Sequence, residues 1–532
     1  MSSNAVPQWV KDAVFYEIYP QSFCDTNGDG IGDIPGIISK LDYIKSLGCD
    51  AVWLNPCFES PFQDAGYDVA DFYKVAPRYG SNDDLKKLFA EAHKRGMKVV
   101  LDLVAGHTSM EHPFFKASAS KEKTPYDNYF VWTRGWREDT GNYRFISGLA
   151  ERDGYFMINF FACQPALNYG FCPAEYPWQL DMDHPDAVAV QNELQNVMKF
   201  YLDMGCDGFR VDMASSLIKG SNAEHGIKLL WKRYRSWLDE NYPQAVLIAE
   251  WCRPAKAIPA GFHIDFKAHF GEPGYSILTR AEKELIGNGG LPDGLVSFFH
   301  ESGKGDAKTF LDELSAEYDV IKNDGLFGII SGNHDMGRLR GNGRSDEMMK
   351  MMYAFLFSLP GVPFLYYGDE IGMDNILGLG NKEGSYNRSA ARTPMQWDAT
   401  EKAGFSTADV ESFYLPVDGS KDKYNVASQE NDSSSLLNFV RSFFSLKRSC
   451  KLLSNEADFK VLYCESNRVP AIFERSIGDE KLIVAVNPSN TDCHADIEVD
   501  ADGFEVILEQ GKSSFSGNRI SLGACSFALW KK

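Results

Sequence analysis

The chain has no surplus of positive charge. Its 54 Lys and Arg face 74 Asp and Glu, a formal net charge of −20 over 532 residues. Phosphate backbones are gripped through basic patches, so no nucleic-acid partner is expected. No apolar run approaches the roughly 20 residues of a membrane span, and no membrane partner is expected either. The N-terminus, MSSNAVPQWVKDAVFYEIYP, has no apolar signal region. That points to a cytoplasmic protein, although a secreted form stripped of its signal would read the same. The eleven cysteines are odd in number, scattered, and never arranged as Cys-x-x-Cys. A disulfide framework is therefore not expected, and a reducing compartment is. Repeats and low-complexity tracts are lacking, and nothing bears on oligomeric state. What the chain does have is 44% hydrophobic residues, enough for a large core, and 13% aromatics. Rings can stack on sugars, but core packing is the plainer use for most of them.

Short β-type runs alternate with amphipathic stretches. The expected strands are VFYEIYP (14–20), AVWLNP (51–56), KVVLDLV (98–104), DGFRVDM (207–213), AVLIAEW (245–251), HIDFKAHF (263–270), LFGIISG (326–332) and VPFLYYG (362–368). Helical stretches such as 84–96 and 187–205 lie between them. Strands alternating with helices imply parallel pairing through right-handed crossovers. Eight such units predict an α/β fold, a (β/α)8 TIM barrel, over 1–107 and 176–456. Residues 108–175 are aromatic, Gly- and Pro-rich and weakly periodic, and are expected to form a lobe inserted after the third strand. From 457 to 532, alternating runs divided by Gly, Asn and Asp predict a C-terminal antiparallel β-sandwich. Residues 433–449 are expected to be the last barrel helix.

Four of the apolar runs end in polar, chemistry-bearing residues: Asp102–His107, Arg210–Asp212, Glu250, and Asn333–Asp335. Barrel enzymes place their chemistry at the C-terminal ends of several strands. Three carboxylates arrive this way, Asp212, Glu250 and Asp335, and two flanking one bond is the minimum apparatus for glycoside hydrolysis. Arg210 and Asp212 are two apart on a strand and face the same way. A cation there is expected to keep Asp212 ionised as a nucleophile; a structural ion pair is the alternative. Glu250, beside Trp251, is expected to be pushed towards its protonated, general-acid form. His107, His334 and Asp335 suit sugar hydroxyls better than a metal, because the two histidines lack metal-binding spacing.

Asp25, Asn27, Asp29 and Asp33 place oxygens at alternate positions, with Gly30 sixth. This copies the first half of an EF-hand loop, but Gly36 stands where the bidentate Glu belongs. A Ca²⁺ loop is expected, with the Ile31 carbonyl as a fifth ligand and Mg²⁺ as the alternative ion; a solvated turn is the plainer reading.

Taken together, DLVAGHTS (102–109), GFRVDMA (208–214), IAEW (248–251) and SGNHD (331–335) resemble the four motif regions of the α-amylase superfamily, glycoside hydrolase family 13. DAGYD (64–68), YYGDEIGM (366–373) and RTPMQWD (392–398) extend the match. RTPMQWD and QPALN (164–168) are similar to the α-glucosidase and oligo-1,6-glucosidase branch, which also holds trehalose synthases and sucrose isomerases. The resemblance implies Asp212 as nucleophile, Glu250 as acid/base and Asp335 as transition-state stabiliser. It implies Asp64, Tyr67, His107, Arg210 and His334 around the cleaved sugar, and Arg388 and Arg392 as substrate-side arginines. The implied activity is retaining hydrolysis of short α-linked gluco-oligosaccharides, with a glucosyl-transferring or isomerising enzyme or an α-amylase as alternatives. A non-catalytic transporter-associated heavy chain is disfavoured, since all three carboxylates are present. Three residues depart from the pattern: Ala166 where Asp is usual, Gly106 where Asn is usual, and Met213 after the nucleophile.

Overall fold

In the computed structural model, residues 6–136, 138–268, 274–280, 291, 295–341 and 343–532 are described. Eight parallel strands close into a barrel. They are β1 (Phe15–Ile18), β2 (Ala51–Leu54), β3 (Lys98–Leu103), β4 (Gly208–Val211), β5 (Val246–Ala249), β6 (Ile264–Lys267), β7 (Leu326–Ile330) and β8 (Val362–Tyr366). Each lies inside its expected window; the end of the sixth window, His269–Phe270, falls outside the described residues. β1 pairs with both β2 and β8, which closes the ring. Nearly every strand residue is buried, as expected where helices cover one face of the sheet and the barrel core the other.

Aromatic rings fill part of the barrel. Trp53 on β2 stacks on Phe266 of β6 with centroids 5.4 Å apart, and Phe15 of β1 stacks on Phe364 of β8 at 4.5 Å. Each such ring contributes roughly 5 kcal/mol of gross hydrophobic free energy, taking about 200 Å² of burial as an upper bound. Above them comes a polar layer. The Arg210 guanidinium lies 5.1 Å from the Trp53 ring, and the Trp53 indole donates to Asp102 Oδ2.

The helices follow their stop and start signals. α1 (Asn82–Lys94) begins at a capping box between Ser81 and Asp84. α2 (Pro185–Met204) begins with Pro and ends at Gly205, whose φ of 119° suits glycine. α3 (Leu436–Ser449) is capped by the Ser435 side chain. Between β3 and α2 stands a small antiparallel sheet, with Tyr155–Met157 paired to Trp132–Thr133 and Phe145–Ser147. An additional two-stranded ribbon follows β2, Phe58–Glu59 with Asp71–Val75.

The C-terminal residues form a five-stranded and a three-stranded antiparallel sheet. Ile472, Ile483 and Ala485 of one pack with Ile520 and Leu522 of the other in a shared core. Buried Arg475 fastens this unit to the barrel by donating to the carbonyls of Ser358, Ser454 and Ala457. Lys447, on α3, donates to those of Phe357 and Leu453.

Candidate active site

A cavity of about 300 Å³ opens at the C-terminal ends of the barrel strands. That is the lower end of the usual ligand-pocket range of about 300–1,000 Å³. Its lining includes Asp212, Glu250 and Asp335, with Asp64, Tyr67, His107 and Arg388. Phe160, Gln164, Met213, Trp251 and Cys252 complete much of the wall. The structure therefore brings together all three carboxylates and four of the seven residues expected around the sugar.

The other three, Arg210, His334 and Arg392, do not lie on the wall. They sit behind it, nearly or fully buried, and hold the residues that do. Arg210 Nη1 donates to Asp102 at 2.8 Å and to Asp212 at 3.2 Å, while Nη2 contacts Glu250 at 2.6 Å. The physical reason is depth. Arg210 and Asp212 share a face of β4, but Arg210 is one rung further into the barrel. Arg392 Nη2 and Arg388 Nη1 both donate to Asp335 Oδ1, at 3.0 and 2.6 Å. Arg392 Nε also donates to the His334 carbonyl, so of the two expected substrate-side arginines only Arg388 reaches the cavity.

One guanidinium shared by three carboxylates also changes the expected charge balance. Burial first, and then the nearby Glu250 charge, push Asp212 well above the usual carboxylate range despite Arg210. Burial pushes Glu250 up as well. The expectation that Arg210 depresses Asp212 is thus corrected. Both buried acids thus resist ionising, and the charge of one opposes the charge of the other. Asp335 behaves in the opposite way. Burial would raise it, but the attraction of its cationic neighbours outweighs that and holds its carboxyl far below the usual range. His334 is itself kept neutral by burial, so the guanidiniums of Arg388, Arg392 and Arg210 do this work.

The histidines are fixed by their partners. Burial pushes His107 down to about 4, so its ring is neutral. Its Nε2 donates to the Tyr67 carbonyl at 2.8 Å, and its Nδ1 accepts from Asn159 Nδ2 at 3.1 Å. The Tyr67 hydroxyl donates to Asp102 Oδ2 and lies 2.6 Å from His334 Nε2. The opposite ring nitrogen of His334 is 2.8 Å from Glu17, a fully buried acid that burial pushes far up.

Two turns beside the carboxylates are left-handed at non-glycine residues: Met213 with φ 44° and Cys252 with φ 55°. Such conformations are sparsely populated and need support from their surroundings. At Met213 the turn aims its N–H at Glu250 Oε2, 2.9 Å away. Gln164, missed as a site residue although quoted within QPALN, donates to Asp64 Oδ2 at 2.7 Å and ties the lobe to the pocket. Burial pushes Asp64 up to about 7. Ala166 faces away, packed among Val131, Met157 and Phe171 in the lobe core. An Asp at that position would be buried among apolar groups. Phe161 of the lobe meets Tyr386 with rings 5.4 Å apart.

Loop 25–33 lies apart from this cavity. Asp25 accepts from the backbone N–H of Asn27, Gly28 and Gly30 and from Ser406 Oγ; Asn27 accepts from Asp29 N and Asp29 from Ile31 N. Asp33 accepts from Thr26 and caps the following helix at Gly36 N. Oxygen donors of the type Ca²⁺ takes are present, but the loop's own amides already engage them. A Cβ at Gly36 would meet the Cys24 carbonyl at 2.1 Å, so no ligand side chain fits there. No cluster of three or more His, Cys, Asp or Glu able to hold a metal occurs among the described residues.

A parallel barrel with three carboxylates gathered at its C-terminal rim is the frame of a carbohydrate-active enzyme. The chain belongs to the α-amylase family: the model of the α-amylase catalytic domain matches residues 17–262 and 295–456. It is 34% identical over 488 residues to a trehalose synthase/amylase of Mycolicibacterium smegmatis, covering 82% of this chain and 76% of that protein. It is 30% identical over 541 residues to an oligo-1,6-glucosidase of Parageobacillus thermoglucosidasius, covering 90% of each. A solved α-glucosyl transfer enzyme superposes with a TM-score of 0.80 at 26% identity, over 99% of this chain and all of that one. Among the described residues no helix is long and apolar enough to cross a membrane.

Proposed function

We propose that this enzyme cleaves short α-linked gluco-oligosaccharides with retention of configuration. The observation that carries the reading is the single Arg210 guanidinium that holds Asp212 and Glu250 together, with Asp335 across the same cavity. Retaining pairs stand about 5–5.5 Å apart, and one shared guanidinium favours that short separation. Asp212 attacks the anomeric carbon and forms a glucosyl ester, while Glu250 gives its proton to the departing oxygen. Water, deprotonated by Glu250, then attacks the same carbon from the face the leaving group vacated and releases Asp212. Two carboxyls that both resist ionising, held by one guanidinium, suit the need for one protonated and one ionised group. Asp335, anchored by Arg388 and Arg392, stays negative beside the oxocarbenium-like transition state.

A narrow cavity walled by the lobe favours a terminal sugar over an internal one. Similarity to a trehalose synthase/amylase and to an α-glucosyl transfer enzyme favours a second reading, in which a sugar hydroxyl replaces water as acceptor. p-Nitrophenyl α-glucoside followed by NMR tests the first, since its leaving group adds no glucose of its own, and maltose tests the second. α-Glucose as the first-formed product supports retaining hydrolysis, and trehalose or longer saccharides support transfer. β-Glucose appearing first would refute retention.

A further inference from the structure

We infer that Asp265, on β6, positions Glu250 by holding the backbone of the three residues that follow it. This rests on the reading of Glu250 as the acid. The Asp265 side chain is fully buried and does not reach the cavity. Its Oδ1 accepts from the N–H of Trp251 at 3.0 Å and of Cys252 at 3.1 Å. Its Oδ2 accepts from Arg253 N at 2.8 Å. A fourth bond comes from its own neighbour, Phe266 N, at 3.0 Å.

The placement follows from strand register. β5 and β6 pair with Ala249 opposite Asp265, one residue before Glu250. The chain then leaves β5 through Glu250 and turns sharply at Cys252, whose φ of 55° is unusual for a residue with a side chain. Three consecutive N–H groups point inward at this turn, where no strand partner can take them. A buried carboxylate with two oxygens and about four acceptor sites satisfies all of them at once. An amide cannot: its NH₂ would face either Arg253 N–H or the Trp251 and Cys252 N–H pair. The carboxylate therefore fixes the turn that sets where the Glu250 carboxyl stands relative to Arg210 and Met213 N.

The test exploits what a general acid does. Maltose needs its leaving oxygen protonated; 2,4-dinitrophenyl α-glucoside does not, because its leaving group is stable as an anion. In the full-length protein, Asp265→Asn should cut kcat/KM for maltose about tenfold or more, and for the dinitrophenyl glucoside by less than about threefold. Arg475→Met, at the seam with the C-terminal unit, is a control for general destabilisation and should change both substrates by the same factor. Equal loss on both substrates in D265N, or no loss on either, would overturn the inference. Glu250→Gln separates the two levels. If it lacks the selective loss on maltose, the acid role of Glu250 fails; if it shows the loss and D265N does not, only the positioning role fails. Should D265N not fold, Asp265→Ser is read on the same pair. Failure of both to fold would assign Asp265 to the fold alone and overturn the positioning role.

Discussion

Gly106 offers a test of how the inserted lobe is coupled to the barrel. Its φ is not in the left-handed region, so the backbone itself admits alanine. The space does not: a Cβ there would meet Asn159 Nδ2 at 2.6 Å and Ser216 Oγ at 3.0 Å. Asn159 of the lobe thus fills the volume that a side chain at 106 would take. In Gly106→Ala the amide must swing away, which breaks its 3.1 Å bond to His107 Nδ1 and its weaker 3.4 Å contact with Ser216. A lost hydrogen bond costs about 1 kcal/mol, and a buried imidazole nitrogen left without a donor costs about 1–3 kcal/mol. G106A should therefore lose about 2–3 kcal/mol. Asn159→Ala removes the same bonds without a clash and should lose about 2 kcal/mol. In the double variant the new methyl occupies the vacated space, so its loss should match N159A alone. That is a coupling of about 2–3 kcal/mol, well above the few tenths expected of independent sites. Urea unfolding of the four proteins measures it, and kcat/KM on maltose should follow the same order because His107 lines the cavity. Strictly additive losses would refute the account and leave Asn159 a bystander.

The barrel was legible because its strands are buried on both faces and read as continuous apolar runs between polar ends. The ribbon after β2 escaped notice because Phe58–Glu59 is only two residues long, too short for any period. Strand ends located the chemistry but not its depth. Arg210 and Asp212 are indistinguishable by alternation, yet one supports and the other lines. Gln164 and Phe160 come from a lobe without periodicity, so only the fold brings them to the cavity. Asp265 looks like one more strand residue, and its role depends on a neighbouring turn that the sequence does not reveal. The conspicuous motif YYGDEIGM has a different use from its neighbours. Glu370 accepts from the hydroxyls of Tyr16 and Tyr43, and Asp369 from Ser331, so both carboxylates fasten the segment after β8 to the barrel. The charge on Asp212 was misjudged because the sequence shows one neighbouring cation and hides the two other carboxylates that share it.

Three further predictions follow from single groups. If loop 25–33 takes Ca²⁺, added calcium should stabilise the protein by about 2.7 kcal/mol at a hundredfold excess over its Kd; a melting temperature indifferent to calcium and chelator would leave the loop as a self-satisfied turn. Lys447 is buried, and burial pushes it down to about 7. Since its unfolded value is about 10.4, holding the charge costs stability below pH 7, and the cost fades as pH climbs towards 10.4. Lys447→Met should therefore gain most at pH 6 and least at pH 10, and a difference constant with pH would count against it. Met213 bears on which bond is cut. Its N–H fixes Glu250, its side chain lines the cavity, and its sulfur lies 3.7 Å from Asn159 Nδ2. The backbone role survives any side chain that tolerates the left-handed turn, whereas the bulk beside the leaving sugar does not. Met213→Val and Met213→Thr put β-branched residues at a φ of 44°, which such residues resist, so a loss on all substrates alike would report the turn. A change in the maltose-to-isomaltose ratio of kcat/KM reports side-chain bulk alone. An unchanged ratio would move linkage choice to Phe160, the lobe ring on the cavity wall, because Ala166 is packed in the lobe core.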